Sequence, residues 1–281
     1  MTTTQVTADD GTRLAVHLHG VGEPLLCLPG GPMLDSAYLR DLGGLAEHRA
    51  FARLDLRGTG GSEAPADPAS YRCDRQVADV EAVRRHLGLE RVDLMGHSAG
   101  ANLAYRYAEQ HPDRVGRLLL VTPSTRGVGI EISDDDRTAM ARQRSGEPWY
   151  AGAAAALARV QAGSEDGDDW RAVSAFMYGR WDDQTQAYEA WMDERRDEEL
   201  AMAYGAEGAF DPGSTRAALA VLDAPVLVLA GGRDAGNPPQ VMAQVAALFP
   251  RGELVVQENG GHFPWVDDPA RFVELVAPFV R

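Results

Sequence analysis

The chain has 281 residues, 44% of them hydrophobic and 25% charged, with a formal net charge of −15. That length and balance fit one large α/β domain, or one domain carrying an inserted subdomain, and suffice to bury a core without disulfides or metals. The negative charge repels phosphate backbones and excludes nucleic acid as an expected partner, and the two cysteines, Cys27 and Cys73, form neither a disulfide framework nor a zinc site.

In chain order, MTTTQVTADD carries no basic segment followed by an apolar run, and no apolar stretch reaches the ~18 residues of a membrane span. The expectation is a soluble, cytoplasmic protein with no membrane contact. Residues 12–19 alternate polar and apolar and suit one strand of an early hairpin. Short apolar runs at 25–28, 50–54, 92–95, 118–121, 226–230 and 254–256 read as buried strands, and their lack of alternation predicts parallel pairing with both faces covered. Between them, Val77, Val80, Val83 and Leu87 recur at helical spacing up to Gly88. Ala101, Ala104, Tyr105 and Ala108 put a small-residue face on a second helix, and Phe272, Leu275, Val276 and Phe279 mark a last one. The class is α/β with a mostly parallel sheet. From about 133 to 212 no buried strand is visible. This stretch holds four of the five tryptophans and the charge run DERRDEEL, which reads mainly as a solvated helix face. It predicts a helical insertion at 133–212 in a core formed by 1–132 and 213–281.

The stretch GHSAG at 96–100 lies between the strand at 92–95 and the helix from Ala101. In that context G-x-S-x-G becomes a nucleophile elbow: the glycines let strand and helix approach, and the turn lifts the serine above the sheet edge. A serine nucleophile needs a base, and the base needs an acid to orient it. Asp234 follows the strand at 226–230, and His262 follows the strand at 254–256, 136 residues and then a further 28 along the chain. This is the order Ser, acid, His, so Ser98, Asp234 and His262 form the candidate triad. His17, His19, His48, His86 and His111 lie in strand or helix patterns, His97 sits on the turn itself, and Asp223 precedes its strand at the wrong end. After the strand that follows the elbow the chain reads Thr-Pro-Ser at 122–124, without a carboxylate.

These residues resemble the α/β-hydrolase fold over essentially the whole chain. A narrower likeness is to the proline iminopeptidase-like (prolyl aminopeptidase) serine peptidases. LPGGPM at 28–33 is similar to their HGGPG box, DLRGTGGS at 55–62 to their D-Q-R-G-x-G-x-S, and GGHFPWVDDPARF also suits the group. Pro29 and Met33 replace two residues of the box, and GHSAG replaces the usual GGSWG. The resemblance implies a mostly parallel eight-stranded sheet flanked by helices, with an inserted helical cap. It also implies an aminopeptidase or aminoacyl amidase that works through an acyl-enzyme and needs no metal or cofactor. The backbone N–H groups of Gly31 and Ala99 are the expected oxyanion donors, since Pro32 has none. In such peptidases cap acids hold the substrate's free amino group. Glu207, in an apolar stretch, matches a late-cap glutamate; Asp193 or Glu194, after Trp191, comes second, and Trp191 is a candidate wall of the pocket. The expected partner is a small molecule or short peptide with a free amine. An esterase, lactonase or carbon–carbon hydrolase with the same triad, and a non-catalytic binding protein on the same fold, stand as alternatives.

Overall fold

The computed structural model describes residues 1–281. Eight strands form one sheet in the order β1-β2-β4-β3-β5-β6-β7-β8. β1 (Thr2–Thr7) and β2 (Arg13–His19) form the antiparallel hairpin, β2 joins β4 (Phe51–Leu54) antiparallel, and every later pairing is parallel. β3 (Leu25–Leu28), β5 (Val92–His97), β6 (Val115–Val121), β7 (Val226–Gly231) and β8 (Gly252–Gln257) complete the sheet.

The continuous apolar runs arise because both faces of the sheet are covered. Along β6, Leu118 and Leu120 belong to one core and Leu119 and Val121 to the other; along β7, Val228 and Leu229 divide in the same way. Successive strand side chains point to opposite faces, so a run apolar at every position is the signature of a sheet buried twice. Helices α1 (Val77–His86) and α2 (Gly100–Gln110) pack on the first face, together with α8 (Pro212–Leu219) and α9 (Pro239–Ala246). The short α10 (Pro264–Asp267) and the terminal α11 (Pro269–Val280) cover the second. Gly88, at φ +69°, follows α1 where the periodicity stops.

Between β6 and β7 the chain forms only helices: α3 (Asp134–Arg142), α4 (Tyr150–Gln161), α5 (Gly167–Val173), α6 (Asp183–Asp193), α7 (Glu198–Tyr204) and α8. Their starts are encoded locally. Ser133 and Asp136 make a capping box for α3, Asp182 and Thr185 one for α6, and Asp197 caps α7 by accepting from the Leu200 N–H. α8 packs against α2, so the strand-free stretch rejoins the core at that helix.

Candidate active site

The serine comes from a turn with no room for side chains around it. A Cβ on Gly96 would lie 2.8 Å from Ala101 Cα, and one on Gly100 would run into the Leu28 carbonyl. Ser98 itself adopts φ +50°, a left-handed conformation that costs a non-glycine residue about 1–3 kcal/mol. Its N–H donates to the Val121 carbonyl at 3.1 Å, and its own carbonyl accepts from Ser124 N at 2.9 Å and Ala101 N at 3.0 Å. The strain is therefore held by β6 on one side and the first turn of α2 on the other.

The two other members arrive from the ends of β7 and β8. His262 Nε2 lies 2.9 Å from Ser98 Oγ, and His262 Nδ1 lies 2.8 Å from Asp234 Oδ2. An ionised carboxylate only accepts, so Nδ1 carries the proton and Nε2 is free to receive one from the serine. Asp234 is fully buried, and its other oxygen accepts from the Gly236 and Asn237 N–H groups at 2.8 and 3.0 Å. Asn237 in turn donates its side-chain N–H to the Thr122 carbonyl at 3.0 Å. The loop bearing His262 is pinned at both ends of that residue. Its N–H donates to Met177 O in the helical stretch at 2.6 Å, and its carbonyl accepts from Thr122 Oγ1 at 2.9 Å. The fold thus places Ser98, His262 and Asp234 in one succession of contacts no longer than 2.9 Å.

The glycine box lies against the elbow. A Cβ on Gly30 would fall 2.7 Å from His97 O and 2.8 Å from Ser98 Cβ, so only glycine permits this approach. Gly31 takes φ +113° and borders the same cavity as Ser98 and His262. The N–H groups of Gly31 and Ala99 make no hydrogen bond within the chain, which leaves two donors free beside Ser98. The DLRGTGGS loop braces this region. Asp55 accepts from Ser36 N and Oγ (3.0 and 2.6 Å) and from Gly61 N (2.8 Å), and pairs with His17 Nε2 at 2.9 Å. Burial pushes its carboxyl up, but these donors outweigh burial and hold it below the usual carboxylate range. Arg57 is buried and bridges Asp79 and Asp10, so its charge is spent inside the fold.

A cavity of about 290 Å³ opens over Ser98 and His262, walled by Leu34, Val173, Met177, Met192 and Phe263. Its charged groups are Glu189, inside α6, and Arg196. Glu189 is buried; it accepts from Tyr178 Oη at 2.7 Å and Ser174 Oγ at 3.1 Å and pairs with Arg196 at 3.0 Å.

The cap acids chosen from sequence lie elsewhere. α7 ends at Tyr204, which is buried and donates to the Ala99 carbonyl at 2.9 Å. The chain then turns through Gly205 and Gly208 and leaves Glu207 exposed, outside the cavity. Asp193 is exposed at the end of α6, 3.5 Å from Arg196, and Glu194 faces solvent 3.9 Å from Arg195. Trp191 stacks on Tyr188 and is covered by Arg195 rather than lining the cavity. In the sequence Glu189 is masked by its charged and aromatic neighbours. Its signal was a helical one: Thr185, Tyr188, Glu189 and Met192 recur at three- and four-residue steps and form the buried face of α6. Arg196 belongs to the charge run read as solvated, yet it borders the cavity.

A strained serine backed by a histidine and a buried aspartate, at the C-terminal edge of a mostly parallel sheet, is the constellation of a hydrolase that works by nucleophilic attack. The chain belongs to the alpha/beta hydrolase fold family, whose model matches residues 23–269. It is 29% identical over 252 residues to N-formylmaleamate deformylase from Pseudomonas putida, covering 88% of this chain and 85% of that protein. It is 22% identical over 274 residues to a proline iminopeptidase from Heyndrickxia coagulans, covering 94% and 92%. Among solved structures, an esterase from Rhodococcus sp. superposes with a TM-score of 0.73 at 25% identity, covering 100% of this chain and 98% of that one.

Proposed function

We propose that this hydrolase cleaves small esters or amides through an acyl-enzyme on Ser98. His262 Nε2 takes the Ser98 proton as Oγ attacks the substrate carbonyl. The resulting oxyanion is received by the free amides of Gly31 and Ala99, and Asp234 stabilises the imidazolium. His262 then protonates the leaving alcohol or amine, and water repeats the cycle on the acyl-enzyme. Each amide of this type is worth roughly 3–4 kcal/mol of transition-state stabilisation. The observation that carries the reading is the unbroken succession Ser98–His262–Asp234 beside two unengaged N–H groups. A fluorophosphonate should label the native protein on Ser98 and leave Ser98→Ala untouched; a folded native protein that resists labelling ends the proposal.

The aminopeptidase reading is a finer form of the same chemistry, and it now rests on Glu189 rather than on Glu207, Asp193 or Glu194. A carboxylate bordering the cavity is what a substrate ammonium requires. Glu189 is already paired with Arg196, however, so an incoming amine must share it. The broader esterase or amidase reading asks for no such exchange and is preferred. Aminoacyl anilides with free and blocked amines distinguish the two: equal turnover of both removes the amine reading.

A further inference from the structure

His97 is the member of the elbow that the mechanism leaves without a role. It is almost fully buried, with its ring 5.0 Å from that of His262, 5.3 Å from Phe263 and 4.8 Å from Trp265. No carboxylate hydrogen-bonds to it, and burial pushes its basicity well below the ordinary histidine value, so the ring is neutral. A neutral imidazole has one donor and one acceptor. His97 Nε2 lies 2.9 Å from the His262 carbonyl, which can only accept, so Nε2 carries the proton. Nδ1 must then accept, and the Tyr38 hydroxyl donates to it at 2.7 Å. The same hydroxyl oxygen accepts from the Gly30 N–H at 2.7 Å. The proton positions are thereby fixed along the whole path: Gly30 N–H to Tyr38 Oη, Tyr38 O–H to His97 Nδ1, and His97 Nε2–H to His262 O.

This path joins the two parts of the site that must keep register during attack. One end is the Gly30 N–H, one residue before the Gly31 amide assigned to the oxyanion, and the other is the backbone carbonyl of the general base. We propose that Tyr38 and His97 are positioning residues, a buried hydrogen-bonded bridge that sets the distance between the oxyanion donors and the His262 imidazole. The inference rests on the reading of Ser98 as nucleophile. It predicts an effect on the chemical step, because small displacements of a pre-set geometry penalise the transition state more than the bound ground state.

The test compares Tyr38→Phe, His97→Leu and His97→Gln with the native protein. It uses turnover of p-nitrophenyl acetate, labelling by a fluorophosphonate, and the thermal midpoint. Tyr38→Phe and His97→Leu should lose about 10- to 100-fold in kcat, with KM moving less than about threefold. His97→Gln, which keeps a donor and an acceptor, should recover most of the loss. Should His97→Leu fail to fold, Tyr38→Phe, which deletes a single hydroxyl, decides alone. Folded Tyr38→Phe with native kcat overturns the bridge, as does a rise in KM at constant kcat, or a His97→Gln no better than a folded His97→Leu. In those cases the native protein still labels and turns over, so the nucleophile reading stands. A native protein that does neither removes that reading and the bridge's role with it.

Discussion

At the scale of single residues, the site depends on groups whose protonation is imposed by their neighbours. Asp234 meets both backbone donors and the imidazole with nothing left to solvent. Asp234→Asn keeps the shape but presents an N–H where Nδ1 needs an acceptor. It should lower kcat by about 10⁴-fold without unfolding the chain, as steady-state rates and circular dichroism would show. Asp267 behaves differently. It accepts from the N–H of Gly261, next to His262, at 2.7 Å, yet burial pushes its carboxyl up to about 6 from the ordinary 3.8. Folding therefore binds a proton there between those values. Its contribution to stability is fully present below about 4 and is lost as pH rises through about 6. Asp267→Asn should remove this limb, so that denaturant midpoints at pH 5 and pH 8 differ less in the variant than in the native protein.

At the scale of elements, the glycines decide which strands and helices can meet. Gly100 on α2 touches the end of β3, and Gly30 after β3 touches the elbow. An alanine at either place meets backbone and not a flexible side chain. Gly100→Ala should thus destabilise the fold by about 1–3 kcal/mol and lower activity together, measured by urea unfolding alongside turnover. These contacts also explain how much of the molecule is readable from the chain. Strand runs such as Leu118 to Val121, the elbow and the loops bearing Asp234 and His262 are local patterns, and each lands at the end of the element that spacing assigns to it. β1 is harder to see: TTTQVT has one buried residue, Val6, and acquires its strand character from pairing with β2. The substrate side is harder still. Which face of α6 turns inward depends on how six helices pack over the sheet, and nothing near Glu207 records that its turn points outward. Glu189→Gln makes this concrete: it should spare neutral esters and, if the amine reading holds, weaken only substrates with a free amino group.

At the scale of the whole molecule, the net charge of −15 surrounds a cavity that holds one carboxylate and one guanidinium. The summed field repels anions and is screened by salt within roughly 8–10 Å at 0.1–0.15 M ionic strength. Raising salt should therefore increase kcat/KM for anionic esters and leave neutral ones unchanged. No helix is long and apolar enough to cross a membrane. The sheet, buried on both faces, is the rigid frame: β5, β7 and β8 each deliver one triad member at the same edge, while helices between β6 and β7 close the cavity above it. The proposed reaction requires that edge to form a covalent bond to substrate. Rapid-quench mass spectrometry of the protein turning over p-nitrophenyl acetate measures this directly. The prediction is one acetyl group on the peptide containing Ser98, absent in Ser98→Ala, which should also be inactive. An acetyl group on another residue, or undiminished turnover by Ser98→Ala, would contradict it.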